Sequence, residues 1–216
     1  VKTKVYFAFN PVKTKVESAS FILLLQLIAH RAGRLINYNE LAQLTLLSVP
    51  TVKNYLWYAE KTFLIAPVTP YFTNKGKELV KSPQYYFLDH GLRNFLTGLV
   101  HENAASEQDQ GFRFQQMIYQ LLAEKTQNAS ASLHYWRTQN QAEVDFVIDT
   151  GHGLLPIEVK SGFLKSPQIE RSMHSFIDQY QPKEAWVVNR TLSESVKMKG
   201  TTVRFMPWFK LLENNF

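Results

Sequence analysis

Residues 143–160 read EVDFVIDTGHGLLPIEVK. Two mostly apolar, alternating stretches flank Gly151-His152, a two-residue turn with glycine first, which is hairpin chemistry. Alternation puts Val144, Phe146 and Ile148 on one face of the first strand and Glu143 and Asp145 on the other. In the second strand Glu158 and Lys160 share a face, opposite Ile157 and Val159. The turn pairs Thr150 with Gly153. Carried inward, that register sets Asp145 across from Glu158 and Glu143 across from Lys160. Direct partners have Cβ atoms ~4.5–5.5 Å apart.

Two facing carboxylates repel, whereas a Glu143–Lys160 pair would stabilise by ~0.2–1 kcal/mol. A divalent cation reverses the sign of the acidic pair, because Mg²⁺ is held by one or two carboxylates plus water and substrate phosphate. Asp145 and Glu158 are therefore candidate metal ligands. Lys160 would sit beside the ion, where a cation steadies a nucleophilic water or a developing phosphorane charge. These three are the candidate catalytic residues. The other reading is a hairpin with a merely wet polar face, on which Lys160 relieves both acids.

Outward from the hairpin, residues 111–124 read as a helix with Phe114, Ile118, Leu121 and Leu122 on one face. Strands are expected at 133–137, 143–149 and 154–160. A helix near 166–179 carries the stripe Ile169, Met173, Phe176 and Ile177. Strands at 184–189 and 202–206 and a last helix after Pro207 complete residues 101–216. The pattern is a mixed sheet with helices on its faces, an α/β sandwich.

Residues 1–100 differ. They hold 12 Lys+Arg against 5 Asp+Glu, while residues 101–216 hold 12 against 13. Such asymmetry points to two modules, one of which meets a polyanion. VKTKV occurs at 1–5 and 12–16, with Asn10-Pro11 as a turn between two short strands. A helix over 18–30 begins at Ser18 or Ser20 as cap, buries Phe21, Leu24, Leu25 and Ile28, and ends before Gly33. Asn37 and Glu40 form a capping box for a short helix that buries Leu41 and Leu44. After a tight turn at 46–48, a third helix runs over 49–62, with Pro50 in its first turn and Val52, Tyr55, Leu56 and Ala59 buried.

Three helices with a tight turn before the third make a helix-turn-helix. The strand-like stretches 63–72 and 85–88, joined by Asn74-Lys75-Gly76, would be its wing. Thr51, Lys53, Asn54, Trp57 and Lys61 lie on the exposed side of the third helix. Thr51, Lys53 and Asn54 are placed to meet the major groove and phosphates, and Lys75, Lys77 and Lys81 to take phosphates from the wing. Trp57 is expected to pack against the wing. The alternative is a protein-binding winged helix with solvated lysines. The overall expectation is α+β plus α/β: a winged helix-turn-helix domain over 1–100, then an endonuclease-like sandwich over 101–216.

Composition narrows the field. Apolar residues make up 45% and charged residues 19%, enough to bury a core. Without cysteine there is no disulfide, thiolate zinc site, cysteine nucleophile or iron–sulfur cluster. G-x-S-x-G, H-E-x-x-H and G-x-x-x-x-G-K-[ST] are all missing, so serine-hydrolase, zincin and P-loop chemistry are not expected. His152 reads as a loop residue and His90 as a helix cap or interface residue. No stretch is apolar for ~20 residues, so no membrane partner is expected. No signal peptide opens the chain, which starts on Val1, and a cytoplasmic piece of a longer protein is expected.

Asp145, then twelve residues, then Glu158-Val159-Lys160 resembles the core of the PD-(D/E)XK, restriction-endonuclease-like superfamily. Tyr135-Trp136-Arg137, Glu143-Val144-Asp145-Phe146-Val147 and Pro156-Ile157-Glu158-Val159-Lys160-Ser161-Gly162 look like one branch of it. That branch is the C-terminal region of prokaryotic AAA-type ATPases, where a P-loop module precedes a winged helix and an endonuclease-like domain. Thr51-Val52-Lys53-Asn54-Tyr55-Leu56, Lys81-Ser82-Pro83 and Phe87-Leu88-Asp89-His90-Gly91-Leu92 resemble its winged-helix part and link. The resemblance covers roughly residues 20–207. It implies an ATPase module upstream, with which this chain works, and no nucleotide bound by this chain itself. From the residues themselves, Mg²⁺ is expected at Asp145 and Glu158, and DNA as the partner of residues 1–100. Active members usually carry a glutamate on the first helix of the nuclease domain, where this chain has Gln115. The competing expectations are a metal-dependent nuclease and a degenerate, nuclease-like adaptor that regulates the ATPase.

Overall fold

The computed structural model describes residues 11–72, 82–99 and 107–213. Helices α1 (Pro11–His30), α2 (Tyr38–Thr45) and α3 (Val49–Lys61) come first. A ribbon of β1 (Ile65–Pro70) and β2 (Gln84–Phe87) follows, then α4 (His90–Leu96) and α5 (Glu107–Asn128). The remainder is β3 (Ser132–Arg137), β4 (Glu143–Asp149), β5 (Leu154–Val159), α6 (Arg171–Tyr180), β6 (Glu184–Asn189), β7 (Glu194–Met198) and β8 (Thr201–Pro207). A 3₁₀ turn, Trp208–Leu212, stands where a last helix was expected.

The strands form one mixed sheet in the order β2-β1-β3-β4-β5-β6-β8-β7. The expected ribbon is antiparallel, with Ile65 opposite Phe87. It does not stand apart. β1 runs parallel to β3, with Thr69 opposite His134 and Pro70 opposite Tyr135. The ribbon is thus one edge of the sheet that carries the acidic hairpin.

Local chemistry explains the helix ends. Asn37 caps α2 by accepting the N–H groups of Asn39 and Glu40 at 3.0 and 3.3 Å. Glu40 does not close the expected box; it pairs with Arg31. Leu46 ends α2 in the left-handed region, φ 56°, returning its N–H to Ala42 and Gln43. Ser48 caps α3 through the Thr51 N–H at 3.2 Å, and Pro50 is harmless there because the first-turn amides have no helical partner. Gly33 takes φ +73° and donates to the Tyr85 carbonyl at 3.0 Å, so it turns the chain from α1 against β2.

Several expectations are corrected. The second VKTKV lies in α1, and Ser18 and Ser20 sit inside that helix rather than capping it. Val12 and Val16 are four apart, which fits a helical period as well as a strand one. The first VKTKV, Asn10 and the Asn74-Lys75-Gly76 turn lie outside the described residues. Leu44 is half exposed; Leu41, Ala42 and Thr45 form the buried stripe of α2. Thr45 can be buried because its hydroxyl donates to the Leu41 carbonyl at 2.7 Å. The helix expected near 166–179 begins at Arg171, and Ile169 packs from the loop before it. His90 opens α4 but does not cap it; Asp89 does, accepting the Leu92 N–H at 2.6 Å.

Three clusters hold the molecule. In the first, Leu24, Leu25 and Ile28 of α1 meet Leu41, Val52, Leu56 and the ribbon's Ile65 and Phe87. In the second, Ile118, Tyr119 and Leu122 of α5 cover Phe146, Ile148 and Ile157. In the third, Met173, Phe176 and Ile177 of α6 cover the opposite sheet face at Val144, Val147 and Val187.

Candidate active site

The hairpin register read from its turn holds as far as Phe146 opposite Ile157; the expected pairing of Asp145 with Glu158 is not part of the ladder. Phe146 faces Ile157, Val147 faces Pro156 and Asp149 faces Leu154, and Thr150 N–H donates to the Gly153 carbonyl at 3.2 Å. The face assignment changes at one place. Val144 packs under α6 while Phe146 and Ile148 pack under α5. The cause is a register shift against β3: His134 pairs with Val147 but Trp136 with Val144. β4 therefore has one residue more than β3 across Asp145 and Phe146, a bulge that breaks alternation and re-aims a side chain.

That side chain is Asp145. Its Oδ1 accepts the Gln115 amide of α5 at 2.9 Å, and its Oδ2 accepts the Val159 N–H of β5 at 2.7 Å. Glu158 is 7% exposed. Its Oε1 accepts Lys160 Nζ at 3.0 Å, while its Oε2 is buried with no hydrogen-bond partner among the described residues. Lys160 also pairs with Glu170, the residue just before α6. Its backbone N–H bonds the Val188 carbonyl at 2.8 Å, so it leaves β5 still tied to β6.

The expected Glu143–Lys160 pair does not form. Glu143 accepts from Arg137 at 2.8 Å and from Gln84 of β2 at 2.9 Å. Lys160 lies past the end of β5, and two other carboxylates reach it first.

Burial pushes the Asp145 carboxyl well above the usual aspartate value, and the charge of Glu158 pushes it further. The Val159 N–H and Lys160 pull the other way without winning. Burial also raises Glu158, against the opposing pull of Lys160. Burial alone would lower the Lys160 ammonium, but its ion pairs with Glu158 and Glu170 hold it above the ordinary lysine value. Lys160 is thus a fixed cation and not a proton acceptor near neutrality.

Among the described residues no three His, Asp or Glu side chains gather as a ligand set. Asp145 and Glu158 make two, and Glu158 Oε2 has its lone pairs unused. Two carboxylates suffice for a cation that keeps several waters, as Mg²⁺ does.

Of the residues expected to meet nucleic acid, Thr51 serves the α3 cap, its hydroxyl 2.7 Å from that of Ser48. Lys53 and Asn54 are exposed, with Lys53 Nζ 5.0 Å above the Tyr38 ring. Lys75, Lys77 and Lys81 lie outside the described residues. Trp57 was expected against a wing whose tip lies outside the described residues. It is half exposed, edge-on to Tyr58 and under Lys61, because the buried face of α3 is already filled by Val52, Leu56 and Ala59. No helix among the described residues is long and apolar enough to cross a membrane.

Comparison with known proteins divides the chain along similar lines. Residues 9–103 match a domain of unknown function, DUF8612, and residues 110–209 match another, DUF4143. The chain carries a DUF8612 domain followed by a DUF4143 domain. Two similar proteins are the uncharacterized proteins Rv2008c of Mycobacterium tuberculosis and Mb2031c of Mycobacterium bovis. Each is 30% identical over 162 residues, which is 72% of this chain and 34% of theirs. The chain spans about a third of the length of these curated relatives.

Gln115, Asp145, Glu158 and Lys160 all fall in the DUF4143 part. The DUF8612 part holds their supporting helix in place. Gln116 of α5 exchanges two hydrogen bonds with the Phe87 backbone of β2. The Arg34 guanidinium lies 4.2 Å above the Phe112 ring. Arg93, 4% exposed, bonds Asp109 at 3.1 Å and the Ala29 carbonyl at 3.3 Å. Sequence reasoning missed Arg93, Gln116 and Glu170, because their partners Asp109, Phe87 and Lys160 lie 16, 29 and 10 residues away and follow no local period.

Proposed function

We propose that this chain is the nucleic-acid-binding, nuclease-like part of a longer cytoplasmic ATPase. Residues 1–100 are read as a winged helix that grips DNA. Residues 101–216 are read as a PD-(D/E)XK-like domain that hydrolyses phosphodiesters with Mg²⁺. The observation that carries this reading is the buried, unpartnered Oε2 of Glu158 beside the part-buried Asp145 carboxylate. A buried unsatisfied carboxylate oxygen costs stability unless a ligand meets it.

Asp145 and Glu158 would hold the ion, which supplies Lewis-acid polarisation of a phosphoryl oxygen and a more acidic water. The chain's own groups do the rest. The bulge and the Val159 N–H fix Asp145 in orientation. Lys160, kept charged by Glu158 and Glu170, offers a permanent cation to the negative charge that grows on phosphorus oxygens. α5 and α6 cover the two sheet faces.

Gln115 favours the second reading, a nuclease-like adaptor. It occupies the position expected for the usual helix acid and its amide donates a hydrogen bond to Asp145 rather than adding a ligand. Supercoiled plasmid incubated with Mg²⁺ or Mn²⁺ separates the two. The parent chain is expected to nick it. Glu158→Gln is expected to abolish nicking, and Lys160→Ala to slow it by roughly 10²–10³, the loss typical of one charge-stabilising donor. Gln115→Glu is expected to raise the rate at limiting metal. If neither the parent nor Gln115→Glu nicks, the adaptor reading stands.

Duplex binding through residues 1–100 is expected to be weak and salt-dependent. Lys53→Ala with Lys75→Ala should lower the affinity and reduce the slope of log K against log salt by roughly 2, one per phosphate contact. An unchanged slope by fluorescence anisotropy excludes α3 and the ribbon turn as the phosphate-binding face.

A further inference from the structure

On the α5 side of the sheet, at the end of the strand next to β5, stands a cation whose Nε the chain leaves without a hydrogen bond. Arg190 follows the last residue of β6. Its guanidinium carbon lies 5.9 Å from the Phe114 ring and 5.4 Å from the Phe163 ring. Its Nε is buried without a hydrogen-bond partner, and Arg190 makes no ion pair among the described residues. Most buried or half-buried arginine nitrogens find an acceptor. This one is held between two aromatic rings instead.

The surroundings fix its place. Asn189, fully buried, donates to the Val187, Leu192 and Met206 carbonyls and accepts the Thr191 and Leu192 N–H groups. Five hydrogen bonds from one side chain make the turn that carries Arg190 rigid. β6 lies next to β5, with Val188 opposite Val159. Arg190 therefore stands one strand over from Lys160. Phe114 adjoins Gln115, which contacts Asp145. Phe163 follows Lys160-Ser161-Gly162 and is 72% exposed. Gly111 of α5 neighbours this loop: a Cβ there would meet Ser161 Oγ at 3.6 Å, an ordinary van der Waals contact.

We infer that Arg190 and Phe163 form a subsite for an unpaired nucleotide next to the acid site, Arg190 taking its phosphate and Phe163 stacking its base. This rests on the nuclease-like reading and narrows its substrate class to strands with an unpaired segment. Guanidinium matches phosphate in a fork of N–H donors, and the Phe114 and Phe163 rings neighbour it without using those donors. An exposed aromatic beside a phosphate-binding cation is the arrangement by which proteins hold single strands, since every base has a stackable face. Duplex bases are already stacked and cannot use Phe163.

The test is anisotropy of two end-labelled oligonucleotides, one unpaired and one a blunt duplex of the same sequence, in EDTA. Without metal, binding is read apart from cleavage. Phe163→Ala is expected to weaken the unpaired strand about 5- to 100-fold and to leave the duplex unchanged, with Phe163→Trp restoring binding. Arg190→Ala is expected to weaken the unpaired strand by about tenfold and to reduce its salt slope by about 1. Far-ultraviolet circular dichroism checks that each variant is folded. The inference is overturned if Phe163→Ala weakens both oligonucleotides equally or neither, or if the parent binds no unpaired strand. A parent that never nicks plasmid yet shows the Phe163 difference loses the catalytic reading and keeps the subsite.

Discussion

Mg²⁺ or Mn²⁺ is expected to raise the melting temperature of the parent chain and to do far less for Asp145→Asn. A ligand that binds only the folded state stabilises by about 2.7 kcal/mol at a hundred times its Kd. For a chain of this size that is roughly 5–10 °C. The metal-free comparison is equally informative. Asparagine can keep both bonds of Asp145: its oxygen accepts the Val159 N–H, and its amide donates to Gln115 once that side chain turns. What it removes is a part-buried charge that the charge of Glu158 opposes. Asp145→Asn is therefore expected to be as stable as the metal-free parent or slightly more stable.

The pH dependence has a definite sign. Both Asp145 and Glu158 are raised in the folded state, so the unfolded chain gives up these protons first. The pair's contribution to stability is full below the ordinary carboxylate range, near pH 4, and declines as pH rises through the raised values. Without metal the parent should lose stability over that window, and Asp145→Asn should lose less. With metal the loss should shrink, because the ion favours the charged forms. Equal metal responses in the two proteins, by calorimetry at pH 7, would falsify the metal site.

Arg93→Ala is expected to cost about 3–5 kcal/mol, the range for removing one partner of a buried ion pair. The side chain is 5% exposed and that of Asp109 15%. Its loss strips the Ala29 carbonyl at the end of α1 and leaves Asp109 with Arg113 at 3.6 Å. The paired control is Lys199→Ala, whose partner Asp178 lies on the surface; exposed pairs of that kind are worth ~0–1 kcal/mol. Urea midpoints compare the two directly. Because Arg93 joins α1, α4 and α5, its loss should also loosen the helix that bears Gln115, and amide exchange along α5 should quicken. A midpoint for Arg93→Ala no lower than that for Lys199→Ala would place the stability of this junction in the apolar contacts alone.

The hairpin was readable from eighteen residues because its information is local. Gly151-His152 sets the turn, and the turn sets the register as far as Phe146 and Ile157. The caps at Asn37 and Ser48 and the stripes of α3 and α5 are local in the same sense. Short-range periods were weaker guides where two periods fit equally, as at Val12–Val16, or where a hydroxyl could satisfy itself and go inside, as at Thr45.

The tertiary structure decided everything that depends on a neighbour from elsewhere in the chain. The bulge at Asp145 arises from a mismatch with β3, so strict alternation misplaced Val144. Lys160 chose Glu170 over Glu143 because α6 brings one carboxylate to the strand end while Arg137 and Gln84 hold the other away. The joining of β1 to β3, which makes one sheet of both halves, needs backbone pairing across more than sixty residues. Arg190 between its two rings belongs to the same class. Sequence carries turn chemistry and period, which act within a few residues; which charges meet and which stay unpaired is settled by packing, where the energy of a contact depends on all the groups that compete for it.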